Sequence, residues 1–358
     1  MPLPALQSAV DSGAVSGGVV LLADRSAVLS VEAAGLRDVA AAAPTCDDTL
    51  FWVASMSKPL TATAAMLLVE QGDLDLDRPV EAYLEDFRGR RPQGLITVRQ
   101  ALSHSSGLPF ASPAELEHPG GVERFAGSRF AHYRETGDDA VYDSMPSLAA
   151  AATTYATTPL VSAPGGTLYS NAGINLVGRV VEVASGVPYE TFVRQRLLEP
   201  LGMVDTTLYP TAAQLARLAK SYDAVSLLPS LGPALRGLHG LPDRRVLAWQ
   251  EDEFLEAVPF PQLTAPYNDR SRGVSPSVRT ASPEATRLQL TGSLLQGGFF
   301  STAADFGRFG RMILRGGELD GVRYLSEAAV AEMTGPAPRN EGCELPPSAL
   351  SLRLICYR

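Results

Sequence analysis

Lysine is almost missing from this chain. Of its 30 lysines and arginines only Lys58 and Lys220 are lysines, and the other 28 are arginines. A guanidinium keeps its proton inside a protein, whereas an ammonium of reference pKa about 10.4 gives it up when burial makes the charge costly. Scarcity therefore directs attention to the two places where lysine is kept. Cysteine is nearly as rare: Cys46, Cys343 and Cys356 are too few and too scattered for a disulfide framework. The four histidines, His104, His118, His132 and His239, form no H-x-x-x-H pair, and no cysteine has metal-ligand spacing. Neither a metal nor another cofactor is expected. No apolar run approaches the roughly 20 residues of a membrane span, so no membrane partner is expected. Excess positive charge is lacking too: the formal net charge is −9, which argues against nucleic acid. The start, Met1-Pro2-Leu3-Pro4, runs into an amphipathic segment with Asp11 and lacks the basic start and apolar core of a secretory signal, so a cytoplasmic location is expected. No internal repeat is visible, and nothing bears on oligomeric state.

What is present is a soluble globular composition, 45% hydrophobic and 19% charged over 358 residues, enough for about two domains or one large one. The stretch around which the chain is organised is Phe51-Trp52-Val53-Ala54-Ser55-Met56-Ser57-Lys58-Pro59-Leu60. A helix starting at about Ser55 puts Ser55 and Lys58 on one face, a turn apart, close enough for the amine to reach the hydroxyl. Pro59 fits the first turn, where its missing N–H would be unpaired anyway.

Residues 17–23 and 26–34, rich in β-branched and apolar side chains, read as an antiparallel hairpin turning at Asp24-Arg25, with a helix over Leu6 to Ser12 packed on it. The helical pattern from Ser55 stops at Gly72. Thr97 caps a short helix to Leu102, cut off by Ser103-His104-Ser105-Ser106-Gly107-Leu108-Pro109. Residues 111–147 are polar and irregular, as in a surface excursion or lid. Pro164-Gly165-Gly166 forces a turn that delivers Tyr169 to a helix over about Ala172 to Ala184, with Ile174, Val177, Val181 and Val183 inward. A second helix, Tyr189 to Leu198, completes a helical hairpin. Residues 221–290 show no sustained periodicity. Thr302-Ala303-Ala304-Asp305 has the form of a capping box with Asp in place of Glu, opening a helix that ends at Gly316-Gly317.

Ser55-Met56-Ser57-Lys58, Tyr169-Ser170-Asn171 and Gly297-Gly298-Phe299-Phe300-Ser301-Thr302 together resemble the serine β-lactamase and penicillin-binding-protein superfamily, and within it the class C-like branch that includes family VIII carboxylesterases. Leu102 to Pro109 and Pro200-Leu201-Gly202-Met203 match the same branch, and the resemblance covers roughly residues 15–335. It implies an α+β, β-lactamase/transpeptidase-like fold: an antiparallel sheet flanked by helices plus a mostly helical domain. On this basis residues 1–335 form the hydrolase domain. Its α/β part comprises 1–46 and about 302–335, its helical part 47–301, and 336–358 is an atypical tail. A serine hydroxyl is a poor nucleophile at neutral pH and needs a base. The resemblance makes Ser55 the nucleophile and Lys58 and Tyr169 a coupled general base and acid, since a cation beside a phenol lets the two share a proton. Asn171 would hold the lysine or a substrate carbonyl group, unless it serves as a helix N-cap. Gly298 would allow close backbone approach, and Phe299 or Phe300 would line an acyl pocket. The loop of His104 has a structural role by the same resemblance.

The implied substrate is a small carboxylic ester or amide. A β-lactamase or D-Ala-D-Ala peptidase, and a non-catalytic member that binds an acyl ligand or partner, stay open as alternatives. The branch's third motif, Lys or His followed by a small residue and Gly, is not found after Gly297, and Leu238-His239-Gly240 comes too early. From Pro336 the text departs from the family, with only residues 349–357 alternating as one strand would, so an incomplete sheet and a truncated or frame-shifted product are expected. The missing strand would carry one of two oxyanion donors, a loss worth about 100- to 1000-fold in rate.

Overall fold

The computed structural model describes residues 4–12, 15–39, 41–89, 95–109, 148–208, 210–220, 222–226, 246–251 and 298–335. The lid expected over 111–147, the strand expected within 349–357, the tail from Pro336, and His118, His132 and His239 lie outside them. The α-helices of five or more residues among the described residues are α1 (Pro4–Asp11), α2 (Lys58–Gln71), α3 (Val98–Leu102), α4 (Leu148–Thr157), α5 (Asn171–Ser185), α6 (Tyr189–Val193), α7 (Ala303–Leu314) and α8 (Glu327–Thr334). The strands are β1 (Gly17–Ala23), β2 (Val28–Asp38), β3 (Ala43–Pro44), β4 (Phe51–Trp52), β5 (Tyr222–Ser226), β6 (Val246–Glu251), β7 (Phe300–Ser301), β8 (Glu318–Leu319) and β9 (Val322–Arg323).

The N-terminal hairpin forms as its composition dictates. β1 and β2 pair antiparallel from Gly17 opposite Gly35 to Ala23 opposite Val28, and β3 adds to the other side of β2. The connection is longer than the two residues expected, because a carboxylate oxygen of Asp24 accepts the N–H groups of Ser26 (2.6 Å) and Ala27 (2.8 Å) and so organises residues 24–27. α1 packs on both strands, and α7 packs on β1, where Gly307 leaves room for Leu21. β5 and β6 form a second hairpin, Tyr222 opposite Glu251, in a stretch where the sequence showed no periodicity.

α2 is the central element. Every residue from Lys58 to Leu68 is buried, and a helix buried on all sides lies inside a protein rather than on its surface. It contacts α5, α6 and α8, and its polar threonines are satisfied: Thr61 and Tyr189 share a buried hydroxyl–hydroxyl bond of 2.8 Å, and Thr63 donates to the Pro59 carbonyl at 2.9 Å. Gly72, at φ +80°, ends the helix. Apolar packing continues from α2 through α5 to Phe309 and Met312 of α7 and to Val330 and Met333 of α8. Among the described residues no helix is long and apolar enough to cross a membrane.

Three local expectations need correction. Val183 of α5 is 41% exposed whereas Ile174, Val177 and Val181 are buried, because nine positions past Ile174, at about 100° per residue, is the opposite side of the helix. Tyr189 to Leu198 is not one α-helix: α6 passes into a π turn at Arg194–Leu198. The capping box at α7 is half formed. Thr302 accepts the Asp305 N–H at 3.2 Å, but Asp305 turns away to accept from the Asp205 N–H (2.8 Å) and the Thr206 hydroxyl (2.9 Å). An Asp lacks the extra methylene by which Glu reaches back to its own cap.

Candidate active site

The site is built where β4 runs into α2. Trp52 pairs with Phe300 and Phe51 with Ser301, after which the Val53 N–H donates to the Phe299 carbonyl at 3.0 Å. The chain then makes one 3₁₀ turn, Ala54–Ser57, before α2 begins at Lys58. The sequence suggested an α-helix from Ser55. The tighter turn serves the same end, because side chains at i and i+3 of a 3₁₀ turn eclipse one another. Lys58 Nζ consequently lies 2.9 Å from Ser55 Oγ. Ser57, fully buried between them in sequence, accepts the Phe299 N–H at 3.1 Å, so both backbone groups of Phe299 are tied to the turn that carries Ser55.

Tyr169 arrives from the other side. Its hydroxyl is also 2.9 Å from Ser55 Oγ, and its ring lies 4.9 Å from the Lys58 ammonium. Ser55 itself is an exposed residue, so two groups converge on a side chain at the protein surface. Lys58 is 0% exposed. Burial pushes its amine down to about 7, near enough to neutrality for it to accept a proton as well as donate one. The helix behind Tyr169 is capped by Ser170, whose Oγ accepts the Gly173 N–H at 3.0 Å and donates to the Pro109 carbonyl at 2.8 Å. Asn171, weighed as a cap from the sequence, is therefore the first residue inside α5, and its Oδ1 is buried without a hydrogen-bond partner among the described residues.

The segment 298–301 lies beside the turn that carries Ser55. Gly298 is buried. Phe299 is 1% exposed and packs in the main core; its side chain offers no open surface, and what it brings to the site are its backbone groups. Two neighbours were not singled out for a role here. Ser57 has no signal of its own beyond lying within S-x-x-K. His104, 7% exposed, stacks on Tyr169 with ring centroids 4.4 Å apart.

A family model described as Beta-lactamase matches residues 5–343. The chain belongs to the beta-lactamase family. Within this family it is 36% identical to Esterase EstB of Burkholderia gladioli over 193 residues, 53% of this chain and 46% of that relative, so it spans less than half of that protein's length. It is 29% identical to an uncharacterized protein of Mycobacterium tuberculosis over 342 residues, 92% of this chain and 69% of the relative. Among solved structures, EstCE1, described as a hydrolase with promiscuous acyltransferase activity, superposes with a TM-score of 0.60 at 24% identity, covering 93% of this chain and 75% of that one. This likeness shows that the beta-lactamase-family chain has the mixed α/β fold of its relatives, antiparallel sheets flanked by helices.

Proposed function

We propose that this chain is a serine hydrolase that acylates Ser55 with a small carboxylic ester or amide, using Lys58 and Tyr169 as a coupled general base and acid. The observation that carries the reading is the pair of 2.9 Å bonds from a buried amine and a phenol to the hydroxyl of one exposed serine. Neutral Lys58 takes the Ser55 proton as Oγ attacks the carbonyl carbon. The same proton passes through the Lys58–Tyr169 pair to the leaving alkoxide or amine as the carbonyl–leaving-group bond breaks. Water then attacks the acyl-Ser55 ester by the reverse sequence, returning the proton to Oγ. Which partner holds the proton is a property of the pair rather than of either residue. Asn171, whose buried oxygen has no partner among the described residues, is the group we assign to holding the lysine or the substrate. Gly298 and the backbone of Phe299 form the wall beside the nucleophile.

An esterase among the relatives supports ester as the first substrate class. The family's own description supports a second reading, hydrolysis of a β-lactam by the same residues, with a D-Ala-D-Ala amide as the related amide substrate that the sequence resemblance implies. Two chromogenic assays separate them, p-nitrophenyl butyrate and a chromogenic cephalosporin, with Ser55→Ala as control and intact-mass analysis after a fluorophosphonate probe. Ester turnover lost by at least about 1000-fold in Ser55→Ala, with one label per chain, is the expected outcome. Turnover of the cephalosporin alone favours the second reading. Folded protein that neither turns over nor labels would make it an acyl-ligand-binding member.

A further inference from the structure

His104 takes no part in the reaction just proposed, yet it is held against Tyr169. Its φ is +57°, a left-handed conformation uncommon outside Gly, in which His, like Asn and Asp, is enriched. The consequence is that its main chain and its ring both face the segment carrying Tyr169. The His104 carbonyl accepts the Leu168 N–H at 2.7 Å, and Nδ1 accepts the Ser170 N–H at 3.1 Å. Between those two bonds sits Tyr169, with the imidazole stacked on its ring at 4.4 Å and 25°.

The rest of the loop follows the same course. Ser105 accepts the Gly165 N–H at 2.7 Å and Gly107 accepts the Val161 N–H at 2.9 Å. Gly107 must be glycine, since φ is +76° and a Cβ would fall 2.1 Å from the Ser162 carbonyl. Ser170 closes the strip through its bond to Pro109. Residues 104–109 are thus laid along 161–170.

We infer that His104 is the positioning residue of Tyr169: its carbonyl and Nδ1 clamp the residues on either side, and its ring face sets the phenol so that its hydroxyl meets Ser55. This rests on the reading of Tyr169 as half of the base. Acceptance of the Ser170 N–H leaves Nδ1 without a proton, so the ring proton is on Nε2, which is buried with no partner among the described residues. Burial, with the Lys58 charge nearby, pushes the imidazole down to about 4, which keeps it neutral while it holds its neighbour.

The test is a double-mutant cycle on the whole chain, read by the rate of fluorophosphonate labelling and by kcat and KM on p-nitrophenyl butyrate. His104→Gly removes both ring and acceptor without adding strain at φ +57°, and His104→Asn keeps an acceptor at the Nδ1 position and tolerates that φ. His104→Gly is expected to lower labelling rate and kcat about 100-fold with KM little changed, and His104→Asn to recover about tenfold of that. In a Tyr169→Phe background, itself about 100-fold slow, His104→Gly should add less than about twofold. A full further loss in that background would mean that His104 supports the fold and not the phenol, and overturns the inference. So does undiminished activity of His104→Gly when Tyr169→Phe is impaired. Wild-type rates in Tyr169→Phe would sink the base reading and this inference together, a distinguishable result. A readout independent of turnover is the 13Cζ resonance of Tyr169, identified by its loss in Tyr169→Phe. His104→Gly and, less so, His104→Asn should shift it, and an unmoved resonance in a folded variant refutes the clamp.

Discussion

At Lys58 the proposed function and stability pull in opposite directions. The amine is pushed from 10.5 to about 7 by burial, and at about 1.36 kcal/mol per pKa unit the folded state forgoes on the order of 5 kcal/mol to hold it. That cost is full below pH 7, where both states carry the proton. It fades between about 7 and 10.5, where only the unfolded chain is still protonated, so stability rises with pH across that window. Lys58→Met keeps a long apolar side chain and removes the charge. It is expected to stabilise the folded chain at pH 6 by up to about 5 kcal/mol less the roughly 1 kcal/mol of the Ser55 hydrogen bond, seen as a higher thermal midpoint, with the gain shrinking toward pH 10 and labelling of Ser55 abolished. A lower midpoint at pH 6 would show that the amine is stabilised by its surroundings. In the unaltered chain the labelling rate should climb with pH through about 7 as Lys58 loses its proton. The residue was legible in the sequence because lysine is so rare here. That it is buried was not, since S-x-x-K says nothing of what covers it.

The elements read best where caps and stops carry their own chemistry. Thr97 closes a full capping box with Gln100, and Gly72 takes the positive φ that ends α2. They read worst where two elements compete for one space. Gly173 at the start of α5 is a weak helix former, and propensity alone predicts that Gly173→Ala stabilises by about 1 kcal/mol. The packing decides otherwise: a Cβ there would lie 2.8 Å from the Ala101 carbonyl of α3, and backbone cannot step aside cheaply. Gly173→Ala is therefore expected to destabilise by about 1–3 kcal/mol in a denaturant titration. It should also slow Ser55 labelling, because the Ser170 cap bonds the Gly173 N–H and Tyr169 precedes that cap. A higher midpoint would mean that α3 and α5 can separate without cost. An aromatic run such as Phe299-Phe300 beside a candidate site reads as a pocket wall, and in the structure both rings are packed at 1% exposure.

Across the whole molecule, β7 and α7 are held to the loop at 205–207 by contacts about a hundred residues apart in the chain. Thr207 and Phe300 exchange backbone bonds at 2.9 and 2.8 Å, the Thr206 and Ser301 hydroxyls meet at 2.7 Å, and Asp305, 5% exposed, receives both the Asp205 N–H and the Thr206 hydroxyl. Arg99 similarly joins Asp77 to Glu332 of α8, and Glu70 of α2 accepts the Ser326 N–H at 2.6 Å. Asp305→Ala strands two donors and is expected to cost about 2–4 kcal/mol, whereas Asp305→Asn, which keeps an acceptor oxygen, should cost about 1 kcal/mol. Equal losses in calorimetric unfolding would mean that packing and not the hydrogen bonds makes this junction.

By itself the sequence determined the hairpin, the central helix with its stop at Gly72, the cap at Thr97 and the types of residue that meet at Ser55, because periodicity, capping and the choice of lysine over arginine are local chemistry. The tertiary structure decided that a 3₁₀ turn rather than an α-helix sets Ser55 over Lys58, that Asp305 reaches across the chain instead of back to Thr302, and that His104 brackets Tyr169. Each of these depends on which groups find a partner when distant segments compete for the same buried donors, and a buried donor is bonded by whatever acceptor the fold brings within reach.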